Sequence, residues 1–171
     1  MPIDQWWNFF YLCGSASATL TGLTFVAITL GATLIKKETL DQIDVYITPF
    51  CFHFLHIFFL CCVTAIPNVD PRLLGGAAIV SAVWRAMSLP KSHKVIRVNA
   101  QKPDSEIDSW DWVTVIYVPA IIYVAFIAAG VGLFLFMPWA IWVLATSCLA
   151  LLLASAKGTW DSLVWIAATI K

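Results

Sequence analysis

The stretch WVTVIYVPAIIYVAFIAAGVGLFLFMPWAIWVLATSCLALLLASA, residues 112–156, decides the fold of this chain. It carries no charged side chain and is more than twice as long as the roughly 20 apolar residues that one membrane-spanning helix needs. Its strongest break is Met137-Pro138-Trp139, where proline can either kink a membrane helix or end it. The length favours two helices joined by a tight hairpin over one kinked helix.

The remainder of the chain has the same apolar character. Of its 171 residues, 61% are hydrophobic and 12% are charged, whereas soluble domains average about 45–50% and about 25%. The apolar runs predict five spanning helices at approximately 6–35, 46–66, 73–89, 112–136 and 139–170. The runs are continuous and lack the alternating polarity of barrel strands. We therefore predict an all-α, polytopic transmembrane helical bundle that forms one domain over residues 1–171.

Two features refine this prediction at the end of the chain. The last apolar run closes near Ala156, but Lys157 and Asp161 are spaced to pair on one helix face. We therefore expect the fifth helix to continue, with Trp160 and Trp165 at the membrane interface.

The basic residues predict the orientation of the helices. Five crossings would place on one side Lys36, Lys37, Arg85, Lys91, Lys94, Arg97, Lys102, Lys157 and Lys171, and on the other only Arg72. Cytoplasmic segments carry the excess of Lys and Arg, so the N-terminus is predicted outside and the C-terminus inside. The connection 90–111 is then a cytoplasmic loop, too short for a core of its own.

The first helix is rich in small and hydroxyl side chains. Those selected as candidates for helix packing or pore lining are Gly14, Ser17, Ala18, Thr21, Gly22 and Thr24. Small residues let helix backbones approach closely, and Gly14, Ala18 and Gly22 repeat at the spacing of helix contacts. The pattern predicts a central helix wrapped by neighbours or by other subunits, and the alternative is the wall of a narrow aqueous path.

The second helix carries His53 and His56 on one face, among phenylalanines. An intramembrane histidine is costly, and three interpretations remain open. In the first, each imidazole hydrogen-bonds to a hydroxyl or carbonyl of the first helix. In the second, the pair acts as a proton relay or gate. In the third, the pair binds a metal together with a cysteine. Two histidines three positions apart cannot supply both ligands of one haem. We predict no resident metal or cofactor, and a partial metal site or a haem shared between chains is the alternative.

Other polar or special residues lie inside the apolar runs. Tyr123 shares a face of the fourth helix with Pro119 and Gly130, and we include it with the histidines as a possible polar or gating site. Pro119 is expected to kink or loosen that helix. Arg85 is either an anchor that extends to the headgroups or a paired functional charge. The cysteines are expected to act as small apolar side chains, with disulfide or redox roles as the alternative.

No pattern of an enzyme or of a nucleic-acid-binding protein is visible. The first four helices contain no carboxylate in their apolar runs, and no phosphate loop, CxxC pair or HExxH helix occurs. The zero net charge says nothing about nucleic acid, and no basic stripe with interleaved aromatics suggests a nucleic-acid surface. We predict that the chain is not an enzyme.

The two ends of the chain resemble those of a known group of proteins. Trp6-Trp7-Asn8-Phe9-Phe10, then GSASATLTGLTFVAITLGA at residues 14–32, and KGTWDSLVWI at residues 157–166 are similar to a widespread group of small bacterial integral membrane proteins of unknown function. That group shares a first helix of the type GxSAxLxGLxFVA, and some members are labelled as modulators of a membrane-bound protease. The Phe- and His-rich segment 50–59 departs from the group. The resemblance implies a multi-pass protein of the bacterial inner membrane and no catalytic residue.

Two functions fit these features. The first is a homo-oligomeric small channel or pore, suggested by the hydroxyl-rich first helix and the scarcity of soluble chain. The second is an accessory or regulatory subunit that docks on a larger membrane complex, suggested by the aromatic second helix. The expected partners are the lipid bilayer and either further copies of the chain or other membrane subunits.

Overall fold

A computed structural model describes residues 3–32, 37–87, 97 and 112–169 of the chain. Nearly all of these residues are helical, and no strand occurs among them. The all-α class predicted from the apolar runs is confirmed.

Five α-helices follow one another in the described residues. They are α1 Trp7–Ala32, α2 Lys37–Thr64, α3 Pro71–Ala86, α4 Val118–Phe134 and α5 Ala140–Thr169. A short 3-10 segment, Ile3–Trp6, leads into α1, and a π-helical turn, Val113–Tyr117, leads into α4.

The helix bounds differ from the apolar runs mainly in α2. This helix begins at Lys37, whereas hydropathy places its start near 46. The additional segment, KETLDQIDV, is polar but contains good helix formers, which a search for apolar runs does not detect. The predicted loop 90–111 lies outside the described residues except for Arg97.

Three helical stretches are long and apolar enough to cross a membrane. They are Ile3–Thr29, Val115–Phe134 and Ala140–Val164. A shorter apolar stretch, Thr48–Thr64, occupies the second half of α2. By length and composition, the described helices fit a helical membrane protein.

The break at Met137-Pro138-Trp139 separates α4 from α5 by a tight turn. Phe136 adopts the left-handed region with φ 55°, and the Met137 amide donates to the Gly132 carbonyl at 2.8 Å. This is the six-to-one bond that closes a helix C-terminus. The turn satisfies backbone groups that would otherwise be unpaired and lets α5 return along α4.

Pro119 explains the π-helical turn before α4. Proline has no amide hydrogen, and its ring collides with the carbonyl four residues earlier in a regular α-helix. Val113–Tyr117 widens into a π-helix just before this proline, and α4 then starts at Val118. The loosening expected at Pro119 is therefore a change of helix type.

The helices pack in an order that differs from their order in the chain. The main contacts join α3 to α4, α4 to α5, α5 to α2 and α2 to α1, and α1 also touches α5. α2 and α3 are neighbours in sequence but touch much less extensively. The core between the helices contains fully buried Phe54, Ile57 and Leu60 from α2, Phe126 and Leu133 from α4, and Leu144 and Leu151 from α5.

Two glycines bring the backbones of α3 and α4 into close contact. A Cβ atom at Gly75 would lie 2.6 Å from the Gly130 carbonyl oxygen, and one at Gly130 would lie 2.6 Å from Cγ1 of Ile79. Only glycine fits at both positions, so the two backbones touch directly. α1 and α2 have one comparable point, because a Cβ at Gly14 would lie 2.9 Å from the Cβ of Cys61.

Candidate functional site

The polar face of α2 is turned into the bundle. His53 and His56 are 2% and 5% exposed, and Thr64 on the same side is also buried. Phe52, by contrast, is largely exposed. The spacing of three residues keeps the two imidazoles on one helix face, as predicted from the sequence.

His53 has a partner on α5. Its Nδ1 atom lies 3.0 Å from the Ser155 hydroxyl, and both side chains are buried. The sequence interpretation placed the partner on the first helix, and the structure places it on the fifth. The reason is the packing order, in which α5 lies against this part of α2. Which atom donates depends on the imidazole tautomer.

Tyr123 connects the two histidines. Its ring centroid lies 5.9 Å from that of His53 and 5.7 Å from that of His56. Phe126, one turn further along α4, lies 4.9 Å from His56. The two histidines and Tyr123, grouped from the sequence as a possible polar or gating site, therefore lie together in one buried cluster.

His56 differs from His53 in its hydrogen bonding. Neither of its ring nitrogens has a hydrogen-bond partner among the described residues, although both are buried. A polar group that is desolvated without a partner costs about 1–3 kcal/mol. Such a group favours the binding of a ligand that supplies the missing partner.

Arg85 completes the cluster from α3. Its guanidinium carbon lies 5.0 Å from the centroid of the Phe52 ring, a stacking typical of cation–π contacts. Arg85 also lies near the Tyr123 hydroxyl and the two imidazoles. The side chain is half-buried, and its two interpretations, an anchor or a paired charge, stay predictions. The sequence identified Arg85 as an unusual residue, but it did not predict that Phe52 and Tyr123 lie beside it.

An open cleft of about 330 Å³ separates α2 from α3 beside this cluster. Its exposed walls are almost entirely apolar, and His56 and Arg85 are the titratable residues that line it. The lining residues are Phe52, Leu55, His56, Phe59, Ala77, Val80, Ser81, Trp84 and Arg85. The sparse contact between α2 and α3 leaves this space.

The candidate residues of α1 divide between two faces. Gly14, Ser17, Thr21 and Thr24 are buried within the chain, whereas Ala18 and Gly22 are exposed. The hydroxyls of Thr21 and Thr24 donate to the carbonyls of Ser17 and Leu20, in their own helix, at 2.8 and 2.7 Å.

Gly22 has open space around it. A Cβ atom there would meet nothing within 4 Å among the residues that the structure describes. The described helices of the same chain therefore make no close contact at Gly22, and another copy of the chain is one source of the expected contact at Gly22 and Ala18. The sequence could not separate the two faces of α1, because both carry small residues.

The cysteines lie mainly in the core. All five are free thiols, and Cys13, Cys61 and Cys148 from three helices are buried close together. Among the residues with described side chains, no group of three His, Cys, Asp or Glu is arranged to hold a metal ion. Comparison of the chain with protein families, curated proteins and solved structures gave no match.

Proposed function

We propose that this chain is a multi-pass protein of the bacterial inner membrane that self-associates through α1 and forms a small pore between its copies. In this proposal α2 and α3 also cross the bilayer, which gives five crossings with the N-terminus outside. The asymmetric distribution of Lys and Arg supports that orientation. The proposal assigns no catalytic step to the chain.

The observation that carries the proposal is the incomplete covering of α1. In an 18-residue apolar window of each long stretch, 28% of the residues are buried for Ile3–Thr29, whereas 50% are buried for Val115–Phe134 and for Ala140–Val164. α1 lies at one end of the row of packed helices, so its outer side faces away from the chain. This side is free to contact lipid or another copy.

The outer side of α1 has an unusual composition for a lipid-facing surface. Its middle is a line of mostly small and hydroxyl residues, which we name the outer strip: Ser15, Ala18, Thr19, Gly22, Val26 and Thr29. The large residues Leu12, Leu23 and Phe25 flank it. Small residues with larger flanks allow close approach of a second helix, so the outer strip suits contact between copies.

The hydroxyls of the outer strip support the pore part of the proposal. Thr19 and Thr29 donate to the carbonyls of Ser15 and Phe25 at 2.9 and 2.8 Å. These bonds satisfy the donors, and each oxygen keeps a lone pair that can accept from water. Several copies of α1 around one axis would place these hydroxyls along a shared path. Ser17, Thr21 and Thr24 face the chain interior and have no part in it.

Cysteine cross-linking in native membranes tests the self-association. In a Cys62→Ser background, Gly22→Cys should form disulfide-linked dimers on oxidation, because the outer strips of two copies meet. Val124→Cys is the matched control, since Val124 is exposed on α4 outside the outer strip. Equal cross-linking at both positions, or none at Gly22→Cys, would contradict the proposal.

Flux and sizing test the pore. Purified protein in liposomes should conduct ions, and Thr19→Cys should react with a charged, membrane-impermeant thiol reagent that then blocks conduction. Folded oligomer without flux at any pH or voltage contradicts the pore. Native sizing after gentle extraction addresses the accessory-subunit alternative, because co-migration with unrelated membrane subunits in place of a symmetric assembly favours that function.

A further inference from the structure

The cleft between α2 and α3 has apolar walls and a cationic residue at one end. Arg85 and Phe52 lie together at one end, and Phe59 and Ala77 lie toward the other. Eight residues of α3 separate Ala77 from Arg85, which corresponds to about 12 Å along the helix. The cleft therefore changes from charged to apolar over roughly the distance from the edge of a leaflet toward its middle.

His56 lies one helical turn from Phe52, in the direction of the apolar end. It is 5% exposed, lines the cleft, and both of its ring nitrogens are without partners in the described part of the chain. An imidazole carries at least one N–H donor. Both nitrogens are covered by protein, so the imidazole must turn toward the cleft to reach a ligand. A ligand would then gain most by offering an anion at the level of Arg85 and an acceptor one turn deeper for the turned imidazole.

We propose that this cleft binds one acidic glycerophospholipid. Its phosphate contacts the Arg85 guanidinium, and one acyl chain lies along Val80, Leu55 and Phe59. The His56 imidazole turns toward the cleft and donates a hydrogen bond to an ester carbonyl. In such a lipid the ester groups lie deeper in the membrane than the phosphate, which matches the relative depth of the two side chains. An ammonium headgroup would bring a cation near Arg85, so a net negative lipid is preferred.

Other properties of the cleft fit this occupant. A volume of about 330 Å³ is at the lower end of the ligand-pocket range of roughly 300–1,000 Å³, which suits one chain of the lipid with the second chain in the bilayer. Arginine presents five donors in a planar fork, so it can stack on Phe52, interact with Tyr123 and still contact a phosphate. This site is formed within one chain and does not depend on self-association.

Native mass spectrometry of delipidated protein, supplied with phosphatidylglycerol or phosphatidylcholine, tests the charge contact. We expect one tightly retained phosphatidylglycerol per chain and weaker retention of phosphatidylcholine. Arg85→Gln should weaken retention of phosphatidylglycerol roughly tenfold. Arg72→Gln is the matched control, because Arg72 lies on the same helix and also stacks on a phenylalanine, at 5.1 Å from the Phe136 ring. Equal retention of the two lipids, or equal effects of the two substitutions, would overturn the proposal.

An ether-linked phosphatidylglycerol tests the carbonyl contact. It keeps the phosphate and the chains but lacks the ester carbonyls, so the wild-type protein should retain it less well than the ester lipid. His56→Leu should abolish that difference between the two lipids. A wild-type protein that retains both equally would remove the proposed role of His56.

A pair of tryptophan substitutions keeps the test independent of the charged residues. Val80 and Val124 are both 67% exposed, but only Val80 lines the cleft. Val80→Trp should fill the cleft and displace the lipid, whereas Val124→Trp should leave the lipid bound. Thermal stability and detergent-stable size establish that each variant is folded. Retained phosphatidylglycerol in a folded Val80→Trp protein would contradict the proposed location.

Discussion

Gly75 and Gly22 both interrupt long apolar stretches, yet their surroundings are opposite. Gly75 touches the backbone of α4 so closely that no side chain fits, whereas Gly22 has open space on the outside of α1. In sequence, both are small residues in a membrane helix. The difference shows that such a residue marks where a helix can be approached, and that the fold determines whether the approaching helix belongs to the same chain.

The contact at Gly75 should be the most sensitive point of this comparison. Gly75→Ala places a Cβ against the Gly130 carbonyl, so α3 and α4 must separate, and we expect the free energy of unfolding to fall by about 1–3 kcal/mol. Gly76→Ala is the control on the same helix, because its Cβ would meet the Phe134 ring at an ordinary 3.8 Å. Unfolding in a titration from mild to harsh detergent measures the free energy of unfolding of both variants. An equal decrease in the two variants would refute the backbone contact.

At Gly22 we expect an effect on association and none on the fold of one chain. Gly22→Leu would obstruct the outer strip and weaken association between copies roughly tenfold, about 1.4 kcal/mol. Leu23→Ala should leave both association and folding unchanged, since Leu23 is 60% exposed beside the outer strip. Native size as a function of protein-to-detergent ratio measures the association. An unfolded Gly22→Leu monomer would show that this side of α1 is covered within the chain.

The two histidines extend the comparison from backbone contacts to polar ones. A double-mutant cycle of His53→Ala and Ser155→Ala should give a coupling of about 0.6–1.7 kcal/mol, the range of measured polar contacts between membrane helices. A cycle of His56→Ala and Ser155→Ala should give none, because no hydrogen bond joins those side chains. The same detergent titration measures both cycles, and equal couplings would mean that the bond at His53 is not specific.

The smallest effect is expected at the surface of α5. Lys157 and Asp161 form an ion pair with a 2.5 Å contact, but both side chains are more than half exposed. Exposed pairs four residues apart on a helix contribute about 0.3–0.5 kcal/mol and weaken in salt. A double-mutant cycle in low and high salt measures this value. A salt-independent coupling above about 1 kcal/mol would place the pair in a less aqueous setting than its exposure indicates.

The sequence predicted the features that depend on residues close together in the chain. The apolar runs gave the five helices, the proline at 138 marked the hairpin, and the spacing of Lys157 and Asp161 gave their ion pair, which is confirmed. The common face of His53 and His56 follows from the helical repeat in the same way. Each of these predictions needs only the geometry of one helix.

The missing features depend on which helices are neighbours. Ser155 as partner of His53, Gly130 against Gly75, and Arg85 beside Tyr123 each join residues on different helices. The helical repeat predicts which residues share a face of a helix, but it does not predict which other helix packs against that face. The Gly75-Gly76 pair in α3 was a signal that could have predicted a close contact, since glycine is costly in a helix without one.

The π-helical turn at Val113–Tyr117 changes the directions in which the side chains before α4 point. A π-helical turn contains about one residue more than an α-helical turn, so its side chains point in directions that a regular extension of α4 would not give them. Val115 and Ile116, both within the turn, pack with Phe50 in a small cluster separate from the main core, and Trp112 packs against that cluster. Deletion of one residue within the turn would restore a regular helix and rotate Trp112 by about 100° about the helix axis. Trp112 would then lose its contact with this cluster, although every residue of α4 itself kept its place.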